Sequence, residues 1–383
     1  MKEIKQYTMG ELFTLEYGKP VPDKESIDGN VPVYGTNGQI GTSHLKPLCN
    51  HPSVILGRKG AYRGVHFSSC PFSVIDTAFY VELISNQVDI KWLYYKMLTY
   101  DINSMDSGSA IPSTDRYQIY SLPIDVPSIR TQKRIVDVLD SITEKIELNR
   151  QINDNLELQL QSLYREWFIE NPKADWPAVN LSEIATFTSG YSYKGNELVE
   201  NSDTAMATIK NFERNGGFKI DGYKPIVPSP KLKSEQRAQL FDILVAHTDL
   251  TQNAEVIGNA EILLSKDIYK DLIFSMDLVK VNAKESFPFQ FLLALLLKNP
   301  RFKSHCLGYV NGTTVLHMNK RALPDYETII PNVEDARNFN ATAKAIFCQM
   351  SENLTEISNL TKMRDTLLPK LMSGELKIKE IDC

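Results

Sequence analysis

Two short stretches hold the side chains best suited to gripping another molecule. Residues 57–64, GRKGAYRG, set Arg58, Lys59 and Arg63 among glycines beside Tyr62. An arginine can pair bidentately with guanine, and glycine lets a hairpin backbone come close to a phosphate; a solvated basic turn would carry the same residues. Residues 246–255, AHTDLTQNAE, offer Thr248, Asp249, Gln252 and Asn253. Their donors and acceptors suit base edges, although a polar loop capping a helix has the same composition.

Neither stretch is a catalytic constellation. An amino-methyltransferase would need a PPY or PPF step after Asn, Asp or Ser, and NPKA at 171 and NPRF at 299 lack the second proline. No GxxxxGKS/T phosphate loop occurs for an NTP-driven motor. Glu3-Ile4-Lys5 and Glu375-Leu376-Lys377 match half of a nuclease pattern without its upstream carboxylate. The five cysteines form no CxxC pair and the six histidines no HExxH, so neither a metal site nor a disulfide framework is expected. The chain is read as a non-catalytic protein with no cofactor of its own.

The remaining bounds are broad. A chain of 383 residues, 42% hydrophobic and 23% charged, suggests two or three soluble domains. Its longest strongly apolar run, Phe291 to Leu297, is too short to span a membrane. The opening MKEIKQYTMGELF has no secretory pattern, which predicts a cytoplasmic location. A net charge of −5 leaves nucleic-acid binding to local concentrations of positive charge.

The elements that must position these residues are written twice. GSAIPSTDRYQIYSLPIDVP at 108–127 returns at 312–331 as GTTVLHMNKRALPDYETIIP, an offset of 204. The passages contribute Ser109, Ser113, Thr114 and Arg116 in one copy and Thr313, Thr314, His317, Asn319 and Lys320 in the other. Phosphate positioning suits them better than base reading; a helix-leading loop without such a contact is the alternative. Upstream, YTMGELFTLEYG at 7–18 aligns with VNLSEIATFTSG at 179–190, an offset of 172. Short β-type runs and one apolar helix follow in both halves.

Each passage leads into a long helix. With Ile135 at heptad position a, the a series runs Ile135, Ile142, Asn149, Leu156, Leu163 and the d series Leu139, Ile146, Asn153, Leu160, Trp167. The offset carries these onto Phe339, Ile346, Asn353, Leu360, Leu367 and Ala343, Met350, Ile357, Arg364, Leu371. Such seams predict two helices packed along their length, antiparallel because the chain must return, with Asn149, Asn153 and Asn353 fixing register. Pro369 is expected to kink or end the second helix.

The predicted fold is α+β. Two α/β globular domains, 1–127 and 171–331, are separated by long coiled-coil helices at 128–170 and 332–383 in a pseudo-two-fold repeat. A repeated scaffold carrying dissimilar inserts suits a molecule that reads two different things at a set separation, and double-stranded DNA is the natural object. A coiled-coil adaptor joining two protein-binding domains is the rival reading.

The quoted passages, together with DILVAHTDL and the closing LLPKLMSGEL, resemble the specificity subunits of type I restriction-modification systems over essentially the whole length. The resemblance implies two target-recognition domains, each reading one half of an asymmetric, bipartite DNA site. It also implies two adenine methyltransferase subunits, motor-nuclease subunits when DNA is cut, and S-adenosylmethionine and ATP used in those partners. Gln132, Lys133 and Arg134 follow the family at the first helix start, where partner docking is expected. The second start, Ala336-Arg337-Asn338, departs from it, so the two docking surfaces would be unequal.

Overall fold

Each globular segment is closed by the strand that ends it pairing with the strand that begins it. Lys5–Thr8 lies antiparallel to Pro123–Val126, and Ala178–Asn180 to Glu327–Ile329. The structure, a computed structural model, describes residues 4–105, 112–251, 253–313 and 315–378. Its residues group into two units: Met1–Glu144 with Leu360–Cys383, and Lys145–Asn359. Part of each long helix buries its apolar face in each unit's core.

In the first unit, a four-stranded antiparallel sheet runs Phe13–Tyr17, Ala78–Leu83, Ser53–Gly57, Val65–Ser68 in spatial order. A smaller sheet places Val31–Gly35 between antiparallel Gly38–Ser43 and parallel Ser73–Val74. Helix α1, Ile90–Met97, is capped by Asp89, whose side chain accepts from the amides of Lys91 and Trp92. It buries Trp92, Leu93 and Met97 against Phe13, Leu15 and Phe79. Helix α2, Arg116–Ser121, starts on Asp115, which accepts from the Tyr117 amide. The long helix α3, Ile129–Tyr164, then contributes Ile135, Val136 and Leu139 to the same core.

The second unit repeats this topology. Helix α4, Leu181–Ile184, stands where the first unit has a 3-10 turn, Met9–Glu11. In both, an acidic side chain reaches back to the amide that starts the turn: Glu183 to Asn180 at 2.8 Å, Glu11 to Thr8 at 2.7 Å. The main sheet runs Ala185–Ser189, Leu278–Ala283, Ile243–Ala246, Ala260–Ile262, and a second sheet again holds one parallel pair, Thr204–Ala207 with Asp271–Phe274. Helices α5, Gln290–Lys298, and α6, Pro300–Leu307, complete the core with Phe291, Leu292 and Phe302. Helix α7, Val333–Ser373, adds Phe339, Ala343, Phe347 and Met350 to it.

Gly18 and Gly190 show why a glycine recurs at the end of the first strand in both halves. A Cβ at either would lie 2.0 Å from a carbonyl oxygen, of Ile75 or of Ser275 respectively. The amides of the two glycines make matching bonds to the carbonyls of Ala78 and Leu278. From 172 at this point the offset grows to 200 at the Ala78/Leu278 pair and to 204 beyond the apolar helix. The extra residues of the second unit therefore lie in connections between shared strands.

Within the second unit α3 and α7 run antiparallel. Asn153 donates to the Met350 carbonyl at 3.2 Å and accepts from Asn353 at 2.8 Å, while Asn149 donates to Glu356 at 2.7 Å. All three asparagines are buried, as a register device requires. The 204-residue offset carries Asn149 onto Asn353, so these two asparagines hold equivalent positions in the two seams. Farther along, Phe168 meets Phe339 edge-on with centroids 4.7 Å apart, and the seam residue Trp167, itself half-exposed, lies 5.5 Å from the same ring. Lys298 is half-buried between Glu157 of α3 and Glu261, at 2.7 and 2.8 Å. Burial opposes its charge, and the two carboxylates outweigh burial, raising its pKa.

Of the two outcomes expected at Pro369, a kink or an end, the helix end does not occur there. The helix continues to Ser373 because Leu371 and Met372 are buried in the first unit's core, and that packing offsets the missing hydrogen bond. Gly374, with φ of +76°, is the actual stop.

Candidate nucleic-acid interface

The twice-written passage performs the same backbone task in both units. In the first, the Thr114 amide donates to the Arg58 carbonyl at 2.8 Å, and in the second the Met318 amide donates to the His247 carbonyl at 2.9 Å. Thr114 and Met318 are 204 apart. One residue on, Asp115 accepts from the Tyr117 amide and Asn319 from the Arg321 amide, at 2.8 and 3.0 Å. Lys59 bridges Ser113 as Thr248 pairs with His317. GRKGAYRG and AHTDLTQNAE therefore follow equivalent strands and are held by equivalent bonds, although they share almost no sequence.

In the first unit the exposed product is an aromatic and guanidinium patch. The Arg58 and Arg116 guanidinium carbons lie 4.8 and 5.1 Å from the centroid of Tyr17, and Arg116 lies 5.0 Å from that of Tyr117. Arg58 also donates to the Asp76 carbonyl at 2.8 Å. Tyr17, Tyr62 and Tyr117 are exposed. Two cations stacked beside one ring hold planar donors in fixed orientation next to flat apolar surface. Lys59 is half-buried, its carbonyl bound by Thr36.

Several expected contacts have other work. Arg63 is buried and donates to the carbonyls of Gly60 and Asn103, pinning the loop to the turn at Ile102–Ser104. Thr114 is buried with its hydroxyl on the Gly57 carbonyl. Gly57 is required because a Cβ there would lie 2.8 Å from both Arg63 and the Thr36 carbonyl, so its role is packing and not approach to a phosphate. Ser113 is half-buried. Ser109 lies outside the described residues.

The second unit differs. Thr248 and Asp249 are buried. Thr248 donates to Asp277, and Asp249 accepts from the amides of Thr251 and Val256, so both build the turn and offer nothing to a base. Asn253, Thr313, His317, Asn319 and Lys320 are exposed. Gln252 and Thr314 lie outside the described residues. His247, which no sequence pattern singles out, sits near His317 and Lys320. Burial lowers its pKa first, and those two neighbours lower it further against Asp277.

Tyr17 and His247 were missed because each gains its setting from a partner far away in sequence, whereas Tyr117 stacks on its own neighbour Arg116. Tyr17 is 41 residues from Arg58 and 99 from Arg116. Of the docking residues, Lys133 is exposed and Arg134 half-buried. Gln132 is wholly buried instead, accepting from the Asp89 amide and donating to the carbonyls of Gln87 and Pro127. It fastens α3 to its own domain and is not available to a partner.

Residues 1–158 match the type I restriction modification DNA specificity domain. The HindI specificity subunit of Haemophilus influenzae is 24% identical over 365 residues, covering 79% of this chain and 78% of its own length. The MjaIX specificity subunit of Methanocaldococcus jannaschii is 23% identical over 313 residues, covering 76% and 70%. A crystal structure of a type I restriction-modification S subunit from M. genitalium shares the fold at a TM-score of 0.61, with 17% identity over 97% of this chain and 96% of that one. In sequence and in fold, the chain is like a type I specificity subunit.

Proposed function

We propose that the chain is the DNA-reading specificity subunit of a type I restriction-modification complex and performs no chemistry itself. The observation that carries this is the reuse of one hydrogen-bonded frame, Thr114 to Arg58 and Met318 to His247, beneath two unlike sets of exposed side chains. A frame kept constant under variable surface is what reading two half-sites of an asymmetric target requires. A plain protein adaptor needs no stacked arginine pair. The first half-site is read by Arg58 and Arg116 with Tyr17, Tyr62, Tyr117 and Lys59. The second is met by Asn253, Thr313, His317, Asn319 and Lys320.

Adenine methyltransferase subunits, and motor-nuclease subunits where cleavage occurs, assemble on the chain and bring S-adenosylmethionine and ATP with them. Lys133 and Arg134 are the docking residues that remain at the first helix start. The target base would be flipped into a partner's pocket. The complex works in the cytoplasm; among the described residues no helix is long and apolar enough to cross a membrane.

The test is binding of duplex DNA by the chain with its methyltransferase partners across a series of salt concentrations. Phosphate neutralisation gives a steep fall of affinity with salt, and an adaptor would give none. Methyl transfer to DNA by the isolated chain would overturn the non-catalytic reading.

A further inference from the structure

The shared frame puts His247 where the first unit has Arg58. The Arg58 amide donates to the Thr77 carbonyl at 2.8 Å and the His247 amide to the Asp277 carbonyl at 2.8 Å, each one residue before the carbonyl that holds Gly18 or Gly190. The 204-residue offset sets Lys320 at the place of Arg116 and His317 at that of Ser113, and Ser189 stands where Tyr17 does. Two guanidinium groups, which are always charged, are thus replaced by one lysine and two imidazoles that change charge near neutrality.

These three groups are gathered and left without partners. His317 pairs with Thr248 across the antiparallel strands Thr248–Asp249 and Leu316–Met318, and the next residue, Met318, bonds to His247 through the backbone at 2.9 Å. Among the described residues, the side chains of His247, His317 and Lys320 make no hydrogen bond or ion pair. Charge on His317 or Lys320 opposes charge on His247, and the carboxylate that favours it, Asp277, already accepts from the hydroxyls of Thr248 and Ser275 at 3.0 and 3.3 Å. Asp249 is turned to the amides of Thr251 and Val256. A corner that can carry three positive charges beside one engaged carboxylate is completed by an anion from outside, and a DNA phosphate supplies it.

We infer that His247 and His317, beside Lys320, hold a DNA phosphate at the second half-site as imidazolium ions, so that binding there takes up protons while contact through Arg58 and Arg116 needs none. This rests on the DNA-reading assignment above. The sign follows from charge: a bound phosphate favours the protonated ring and raises its pKa. Affinity at the second unit therefore climbs as pH falls toward about 6.5, where a free histidine protonates. Above that range Lys320 alone carries the contact.

The test uses the full chain with its methyltransferase partners and a fluorescent mixed-sequence duplex, with affinity measured from pH 8 to pH 6 at fixed ionic strength. Affinity should rise roughly three- to tenfold over that range. His317→Gln, an exposed change, should remove at least half of the rise, and His247→Gln combined with His317→Gln nearly all of it. Arg58→Ala should weaken binding at every pH and keep the rise. In carbon-13 histidine spectra, the signal lost in His317→Gln should titrate at higher pH with DNA present than without it. Salt-sensitive binding that ignores pH, or a rise that persists in the double variant, would overturn the proton uptake and leave the DNA reading standing. Failure to bind DNA at any pH or salt concentration would remove both.

Discussion

The two units fasten the same apolar helix to the same long helix by different means. In the first, Asp89 caps α1 from within, and Gln132 of α3 bonds around it to the Asp89 amide and the Gln87 carbonyl. In the second, α5 begins at Phe289, which has no side-chain cap, and Asn340 of α7 reaches across to accept from the amides of Phe291 and Leu292 at 3.0 and 3.1 Å. Ala336 stands where Gln132 would be. Open amides at a helix start need an acceptor, and the source of that acceptor is free to move so long as the helices stay packed. Geometry is kept in this repeat and side chains are not, which is also the relation between the two exposed patches.

The strictest shared feature gives the largest expected effect. Gly18→Ala and Gly190→Ala should each cost on the order of 3 kcal/mol, since the new Cβ has only a backbone carbonyl to displace. Denaturant unfolding of both variants checks this, and a tolerated substitution in one unit alone would break the equivalence of the frames. Next, Arg58→Ala and Arg116→Ala should each lose roughly 1–3 kcal/mol of DNA affinity and relax recognition in one half-site only. A uniform loss on all sequences would make them phosphate contacts. His317→Ala and Lys320→Ala should spare that half-site.

Smaller effects sharpen the fastening difference. Asn340→Ala should destabilise the second unit by about 1 kcal/mol, and Asp89→Ala the first by a similar amount. Hydrogen exchange at the first turns of α5 and α1 should rise in the matching unit alone. The smallest effect expected is with pH. Burial lowers the pKa of His66 in the first unit and of His247 in the second. Below about pH 6.5, where a free histidine protonates, the unfolded chain therefore holds more protons than the folded one, and stability falls as pH drops. His247→Gln should remove part of that fall, measured as the denaturant midpoint at pH 7 and pH 5.

Much of the architecture was legible in the sequence. The 204-residue offset announced the repeat, and heptad positions a and d named Ile135, Leu139, Phe339 and Ala343 as buried. The candidate site was read less well. Arg58 is half-buried and His317 and Lys320 are exposed, whereas Arg63, Thr114, Thr248 and Asp249 are buried in the loops they build. Polar residues beside tight turns suit both roles equally, and a string of letters does not say which carbonyls lie within reach.

By itself the sequence determined what is periodic or local: the doubled scaffold, the helical seams with their asparagines, and the absence of motifs for methyl transfer or nucleotide hydrolysis. Only the tertiary structure decided which cations stay in solvent, that Tyr17 lies between two arginines, that Pro369 is carried through by the packing of Leu371 and Met372, and that His247 gathers with His317 and Lys320. Those outcomes depend on contacts between residues tens of positions apart, and the energy of such contacts is set by distance in space.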